Sequence, residues 1–326
     1  MKNIAKYAGL VSISALTACG SSGSGTDTTV PVAQASTGFA MAGQTERGGV
    51  TFTKRGMASY FETGDFSGLV AAGPFSEEEI DYTVDSFALA SHDITVAISD
   101  DEEEVIFTID GTTYTLARYI DPEEPDEILY LFTDDNGYAG IQFIAISDFV
   151  DIFVADVTLT DETTFILDVM GFDTDPSIIA AESGTATYLG EVSIIGERLS
   201  TVDPNSPDEG GFDEISGELT LTADFGASNI SGSAILENGA DDMPLVETVT
   251  FENAAIDGNG FSGSVTSDDE FFMPGQSLGD VTYSGNFYGP NGETVAGSIT
   301  GEMLIDGEDP LLLLGYFGAD EQPASP

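Results

Sequence analysis

The chain has 326 residues, of which 58 are acidic and 7 are basic, and its formal net charge is −51. So acidic a protein is repelled by nucleic acids and by anionic membrane surfaces, which excludes both as direct binding partners. With one cysteine and one histidine, the chain cannot form an internal disulfide bond, and the usual transition-metal sites are disfavoured.

The first residues resemble the signal of an exported bacterial lipoprotein. Lys2 and Lys6 precede an uncharged apolar run that is too short for a stable membrane-spanning helix. The tetrad LTAC at residues 16–19 resembles a lipobox, in which a peptidase cuts before a cysteine that then carries lipid. We therefore predict a signal peptide over residues 1–18 and lipidation of Cys19.

Residues 19–37 are rich in Gly, Ser and Thr and show no apolar period, which predicts a flexible tether. Several acyl chains on one cysteine hold a protein at a bilayer even when its charge is repelled. No aspartate follows Cys19 as an inner-membrane retention signal. We therefore predict a lipid-anchored protein of the outer membrane, either periplasmic or exposed at the cell surface.

Residues 38–170 are predicted to form a β-rich N-terminal region. Apolar residues alternate through Glu104–Tyr119 around the turn signal Asp110-Gly111, as in a β-hairpin. A second hairpin is predicted over Glu127–Ile146, with residues 134–137 as its connection. Short helices near residues 147–151 and 176–181 are the only helical segments that the pattern suggests.

The pattern of strands continues through residues 171–321, before a tail at 322–326. About eight runs of alternating residues follow Thr185, which predicts an eight-stranded antiparallel up-and-down barrel. Closure would remove the exposed edges that a long open sheet presents for aggregation. Glycines within these strands, Gly285, Gly297 and Gly301, are predicted to lie beneath aromatic rings. The fold class is thus all-β, with a C-terminal barrel.

Five segments of residues 183–321 resemble, in order, the barrel domains of the transferrin-binding protein B family, which are similar to factor H binding protein. They are SGTATYLGEV, LTADFGASNISGSA, GNGFSGSV, GNFYGPNGETVAGSITG and GYFGADE. The residues Thr294, Ala296 and Ile299 depart from the usual glutamate, glycine and phenylalanine, which bears on packing more than on fold. The resemblance implies an exported lipoprotein in which a β-rich handle-like region precedes the barrel.

The same resemblance implies a binding role. Members of the family bind host transferrin, complement factor H or haem-carrying proteins through loops and the handle. Those loops vary in sequence, so the resemblance assigns no ligand-binding residue here.

Motifs for chemistry are scarce. His92 stands next to Asp93, but no serine can be singled out as its nucleophile. Acidic runs at residues 99–104, 121–127 and 203–214 are predicted to be solvated loops. The last of them lacks the spacing of a helix–loop–helix calcium site, because Pro207 and Asp208 occupy its fifth and sixth places. An irregular calcium site between loops stays open. We predict no catalytic residue, no protein-bound metal and no cofactor, and therefore a protein that is not an enzyme.

These observations predict a lipid-anchored envelope protein that captures a protein or small solute through barrel or handle loops. The alternative is a structural or shielding acidic lipoprotein without a dedicated ligand. A concave aromatic pocket would favour the first function, and a barrel filled with side chains would favour the second.

Overall fold

A computed structural model describes residues 49–74, 82–120, 128–197, 215–238, 245–267, 271 and 275–323, and these are mostly β-strand. The first eight strands are β1 (Thr51–Asp65), β2 (Thr83–Ile98), β3 (Glu104–Ile109), β4 (Thr112–Ile120), β5 (Ile128–Asp134), β6 (Gly137–Ala145), β7 (Val150–Leu159) and β8 (Glu162–Gly171). The others are β9 (Thr185–Glu197), β10 (Ile215–Asp224), β11 (Asn229–Asn238), β12 (Leu245–Asp257), β13 (Gly260–Ser267), β14 (Gln276–Leu278), β15 (Thr282–Tyr288), β16 (Thr294–Ile305) and β17 (Leu311–Glu321). Two short helices are α1 (Ser67–Ala72) and α2 (Pro176–Ile179).

The strands form two closed antiparallel barrels. In the first, β1 to β8 pair in sequence and β8 returns to β1. The second has the order β9, β10, β11, β12, β13, β15, β16, β17, and β17 pairs with β9 to close it. The short β14 pairs with the end of β16. The predicted C-terminal eight-stranded barrel is confirmed, whereas the closure of the N-terminal strands into a barrel of their own was not predicted.

Local turn chemistry placed both predicted hairpins correctly. Strands β3 and β4 meet at Asp110-Gly111, where both residues have positive φ angles of 46° and 87°. Such angles suit a tight two-residue turn and explain the glycine. Strands β5 and β6 pair from Asp134 to Gly137. The helix α2 is capped by Asp175, whose side chain accepts a hydrogen bond from the Ser177 amide at 2.8 Å.

Side chains fill the interior of both barrels. The core of the first includes Phe107, Tyr130 and Phe153, and these rings pack with Val, Ile and Met from the other strands. The core of the second contains an aromatic cluster that includes Phe251, Phe261, Tyr283, Phe287 and Phe317. Both interiors are therefore packed cores, as expected for barrels of eight strands.

Two of the three predicted glycine contacts are confirmed. A Cβ atom at Gly285 or Gly297 would come within 2.8 Å of the Phe317 ring, so a side chain at either site would displace that ring. The prediction for Gly301 is wrong, because the atoms close to it belong to Asp280 and Val281. Adjacent backbone, not an aromatic ring, fills the space beside Gly301.

A tyrosine bridges a break in the wall of the second barrel. The pairing of β12 with β13 stops after Phe251 and resumes at Ile256 with its register shifted by one residue. Across this break the Tyr283 hydroxyl donates a 2.7 Å hydrogen bond to the Glu252 carbonyl. A Cβ at Gly263 would lie 2.7 Å from the Tyr283 ring. The glycine thus lets the tyrosine pass beneath β13 and satisfy the carbonyl.

Replacing Tyr283 with Phe should destabilise the protein by about 1 kcal/mol, because a partly buried carbonyl loses its partner. Burial raises the pKa of Tyr283 to about 12, so the hydroxyl remains a donor at neutral pH. Urea unfolding measures the change, and Tyr114→Phe, in a half-buried ring of the first barrel, serves as the control. A Tyr283→Phe effect no larger than that of the control would contradict this role.

Candidate functional site

The two barrels pack side by side through a buried apolar interface. The residues that build it from the first barrel include Ala58, Tyr60, Val150, Ile152, Val154, Phe165, Leu167 and Val169, and those from the second include Ile195, Tyr288, Ala296, Leu314 and Tyr316. The Tyr60 hydroxyl lies 2.8 Å from the Ile195 carbonyl and 2.7 Å from that of Leu312. This contact couples one barrel to the strands that close the other.

The segment between the barrels adds polar contacts to the interface. Asp173 forms an isolated β-bridge with Tyr288. The Thr174 amide donates to the Phe287 carbonyl at 2.9 Å, and its hydroxyl donates to the Gly289 carbonyl at 2.7 Å. These bonds hold the connecting segment against β15, and they place Asp173 at the edge of a groove.

Lys54 lies where β1 separates from β8. These strands pair only from Ser59 to Thr63, and between Lys54 and Met57 a bulge interrupts the pairing of β1 with its other neighbour, β2. The Lys54 ammonium donates to Asp168 Oδ1 at 2.7 Å and to the Val169 carbonyl at 3.1 Å. The Asp168 side chain is 2% exposed and that of Lys54 is 25% exposed. The lysine therefore compensates a buried carboxylate and a carbonyl of β8.

A groove of about 260 Å³ separates Lys54 from the outer face of the second barrel. The other lining residues are Ala255, Asp257, Gly260, Phe261, Ser262, Ser284, Gly285, Asn286 and Tyr288. The Asn286 amide donates to Asp173 Oδ1 at 3.0 Å. Burial raises the pKa of Asp173, and hydrogen bonding from Asn286 and the charge of Lys54 lower it in part.

The groove suits one small polar group. Lys54 has three N–H donors and uses two of them on Asp168 and Val169. The third donor, the hydroxyls of Ser262 and Ser284, and the Asp257 carboxylate offer both donors and acceptors. Ligand pockets for whole molecules start at about 300 Å³. The groove therefore matches an anchor for a side chain rather than a complete solute site.

His92 is partnered by Asp110, not by its neighbour Asp93. Its Nδ1 lies 2.7 Å from Asp110 Oδ2, and this hydrogen bond is the main cause that lowers the pKa of Asp110. The buried Nε2 has no hydrogen-bond partner among the described residues. No described serine is therefore positioned to complete a catalytic triad with His92.

The acidic runs that the structure describes are held by their own hydrogen bonds. The Ser99 hydroxyl donates to Asp101 Oδ1 at 2.7 Å, and Asp134 accepts from the amides of Asn136 and Gly137. Within the described ranges no group of three potential metal ligands comes together. The acidic runs at 121–127 and 203–214, and the predicted lipidation site Cys19, lie outside the described residues.

Sequence reasoning missed the pair Lys54 and Asp168, which are 114 residues apart. The sequence contained a weak indication that Lys54 has a structural partner, because Lys54 is one of only 7 basic residues and lies within a run of alternating apolar residues. In contrast to the first barrel with Lys54, the second barrel has almost no positive charge. Between Thr185 and Glu321 the sequence has 26 Asp and Glu residues and one basic residue, Arg198.

Among the described residues, no helix has the length and apolar character needed to cross a bilayer.

Comparison with solved structures gives distant similarities. A mutant of Transferrin Binding Protein B from Haemophilus parasuis Hp5 is 14% identical with a TM-score of 0.38, over 85% of this chain and 77% of that chain. HpuA from Kingella denitrificans, in complex with human haemoglobin, is 13% identical with a TM-score of 0.36, over 91% and 93% of the two chains.

Comparison of sequences matches parts of the chain. The chain is 43% identical over 115 residues to the Neisserial heparin binding antigen of Neisseria meningitidis serogroup B. That match covers 35% of this chain and 18% of the relative, so this chain matches less than a fifth of the relative's length. The family of C-lobe and N-lobe beta barrels of Tf-binding protein B matches residues 181–321. Its second barrel, over residues 181–321, is therefore a barrel of the transferrin-binding protein B type, the barrel of a binding protein.

Proposed function

We propose that this protein is a lipid-anchored binding protein of the outer membrane that takes a macromolecular ligand on its exterior. The observation that carries the proposal is the match of residues 181–321 to the barrels of a binding protein. In this proposal residues 1–18 are removed, Cys19 carries the lipid and residues 19–37 form the tether. Residues 38–170 and 171–321 then stand away from the membrane as the ligand-binding part.

For a binding protein, the packed interiors restrict the ligand site to the exterior. Rings such as Phe153 and Phe251 are fully buried inside the two barrels, so a ligand cannot enter either core without displacing them. The groove at Lys54 is below the size of a pocket for a whole small molecule. Of the two ligand classes that the sequence left open, a protein is therefore the better supported.

We expect that this protein does not bind heparin, although one relative is named for heparin binding. Heparin is a dense polyanion, and the second barrel carries 26 acidic residues against Arg198. Repulsion between like charges acts over a Debye length of about 8 Å at physiological salt, so approaching chains are opposed. We expect the mature protein to pass through a heparin column at 150 mM salt without retardation. Retention that is released only by high salt would contradict this expectation.

The structural or shielding alternative is favoured by the packed barrels and by the acidic surface. The two functions differ in ligand saturation. Mature protein is immobilised, and components of the native medium and envelope are titrated over it. The binding function predicts saturation by a defined ligand at about one molecule per chain. Weak uptake that never saturates and disappears with salt would leave only the shielding role.

The lipid anchor is tested by Cys19→Ser. Wild-type protein should incorporate a labelled fatty acid and sediment with membranes, whereas the variant should do neither, because the thiol that carries the lipid is absent. Growth with labelled palmitate followed by membrane fractionation gives both results. Protease added to intact cells then decides between the two sides of the membrane. Unlabelled wild-type protein in the soluble fraction would refute the anchor.

A further inference from the structure

One strand of the first barrel has a long edge that no described strand pairs with. Strand β2 spans Thr83–Ile98, but β3 pairs only with Ile94–Ile98. The turn between β3 and β4 stops beside Asp93, whose carbonyl accepts from the Asp110 amide at 3.0 Å and whose amide donates to Asp110 Oδ1 at 2.9 Å. Beyond that turn, β2 continues with β1 on one side only.

The orientation of Asp93 fixes which backbone groups face the unpaired side. Strand groups alternate with a period of two, so the amides and carbonyls of Phe87, Leu89 and Ser91 point the same way as those of Asp93. Ile98 confirms the alternation, because its amide and carbonyl bond to Val50 and Gly49 on the opposite side. Three donors and three acceptors therefore face outward in a row.

Within the part of the chain that the structure describes, this edge lacks the features that protect natural sheet edges. Such edges are blocked by lysine, proline, a bulge or a covering segment. Residues 86–92 have the sequence SFALASH, without lysine or proline, and pair with β1 in one continuous register. The two irregularities in that pairing fall outside this stretch, at Asp85 and at Asp93. Phe87 and Leu89 are partly buried against the interface cluster, and Ser91 is exposed. The edge thus offers backbone groups together with apolar contact area.

We propose that residues 87–91 of β2 form a docking site for an extended, positively charged segment of a partner protein, which adds a strand to the first barrel. The proposal rests on the binding function proposed above and names its site and ligand chemistry. Only a polypeptide presents donors and acceptors at the spacing of about 7 Å that this edge requires.

Charge selects the partner. The strand carries Asp85 and Asp93 and no lysine or arginine, and the whole chain has a net charge of −51. An acidic strand or a second copy of this chain is repelled, whereas a segment rich in Lys or Arg is attracted and its approach is accelerated. Apolar residues at alternate positions of that segment would contact Phe87 and Leu89.

Amide exchange of the unliganded protein provides a first test. The amides of Phe87, Leu89 and Ser91 should exchange with solvent rapidly, because no strand covers them. The amides of Ala88 and Ala90, which face β1, should exchange at least tenfold more slowly. Equal protection of the two sets would overturn the proposal, because the edge would already be covered.

The second test uses synthetic peptides. The probe is an acetylated, amidated peptide of four Lys-Val repeats, and the control has four Lys-Pro-Pro repeats, which carry the same charge but favour polyproline II. Binding of the Lys-Val peptide with new protection at Phe87, Leu89 and Ser91 supports the proposal. Equal binding of both peptides, without new protection at these amides, overturns it because charge alone would explain the affinity.

Ser91→Pro and Ser91→Ala form a matched pair of variants. Proline removes an amide that faces outward and leaves the β1 pairing intact, whereas alanine keeps the amide. We expect Ser91→Pro to weaken the Lys-Val peptide at least tenfold and Ser91→Ala to bind as wild type. Slow exchange at Ala88 and Ala90 verifies that the proline variant is folded. Equal affinity of the two variants would refute the site.

Three further outcomes distinguish the β2 edge site from the binding function proposed for the whole protein. A dimer of the free protein that Ser91→Pro abolishes would overturn the cationic partner and assign the edge to a second copy. If the proline variant still binds the natural ligand saturably, the edge proposal fails and the binding function stands. If wild-type protein binds no ligand saturably, the binding function itself fails.

Discussion

Replacing Asp156 with Asn is expected to stabilise the protein by about 3 kcal/mol at pH 7.5 and to have little effect at pH 4. Asp156 is 2% exposed and lies on β7. Its partners are the hydroxyls of Thr158 at 3.0 Å and Thr163 at 3.4 Å. Burial raises its pKa from 3.8 to about 6, and the hydrogen bonds from the two threonines lower it only in part.

The charged form of Asp156 lowers the stability of the folded protein, and the protonated form does not. Below about pH 4 the carboxyl is protonated in both the folded and the unfolded chain, so it costs nothing. Between about pH 4 and pH 6 the unfolded chain releases its proton more readily, and stability falls as pH rises. Above pH 6 the full cost of a buried carboxylate remains. An amide carries no charge and removes that pH dependence.

Urea unfolding at pH 4 and at pH 7.5 measures the difference. The control is Asp161→Asn, because Asp161 is an exposed carboxylate in the turn between β7 and β8, and its replacement should change the free energy of unfolding by less than about 0.5 kcal/mol. A loss of stability in Asp156→Asn at pH 7.5 would show that the carboxylate makes compensating contacts and is not a destabilising charge.

The second large effect is expected from Lys54→Met, which should destabilise the protein by about 2–4 kcal/mol. Removing one partner of a buried ion pair costs about 3–5 kcal/mol, and the partial exposure of Lys54 reduces this. The variant leaves the buried Asp168 carboxylate with the Val169 amide at 2.7 Å, and the Val169 carbonyl without its lysine donor. The neighbouring Arg55 is exposed, so Arg55→Met is a matched control with an effect below about 0.5 kcal/mol.

A double variant separates charge from packing. Lys54→Met combined with Asp168→Asn should recover at least half of the lost stability, because the remaining amide is neutral. Thermal and urea unfolding of wild type, the two single variants and the double variant complete the cycle. Strictly additive losses would show that the two side chains act independently, and the account of this contact would then be wrong.

The hairpins could be predicted because their determinants are close in sequence. Alternating residues set the strands, and Asp110-Gly111 set one turn. The second barrel was predictable for a further reason, since its five segments resemble a known family in order. Closure of the first barrel depends on the pairing of β1 with β8, and strands such as Ser59–Thr63 and Glu162–Ile166 are about a hundred residues apart. No local pattern encodes that register.

The candidate sites were less predictable than the fold. The pair Lys54 and Asp168 forms when β1 and β8 meet to close the first barrel, and the groove beside it forms only when the two barrels pack together. The unpaired edge of β2 arises from a difference in length between β2 and β3, which depends on where the turn at Asp110 meets Asp93. Residues 83–93 look like any half-buried strand in the sequence. Their unpaired side is a property of the assembled barrel.

The most direct test of an exterior binding function is photo-crosslinking on intact cells that carry the lipidated protein. The crosslinking residue p-benzoylphenylalanine replaces Ser91 in one variant and the exposed Thr220 of the second barrel in another. We expect one discrete adduct from position 91, at an intensity that saturates with ligand supply, and none from position 220. Absence of any adduct from position 91, together with no saturable ligand binding by the wild-type protein, would contradict the binding function and leave the shielding role as the better description.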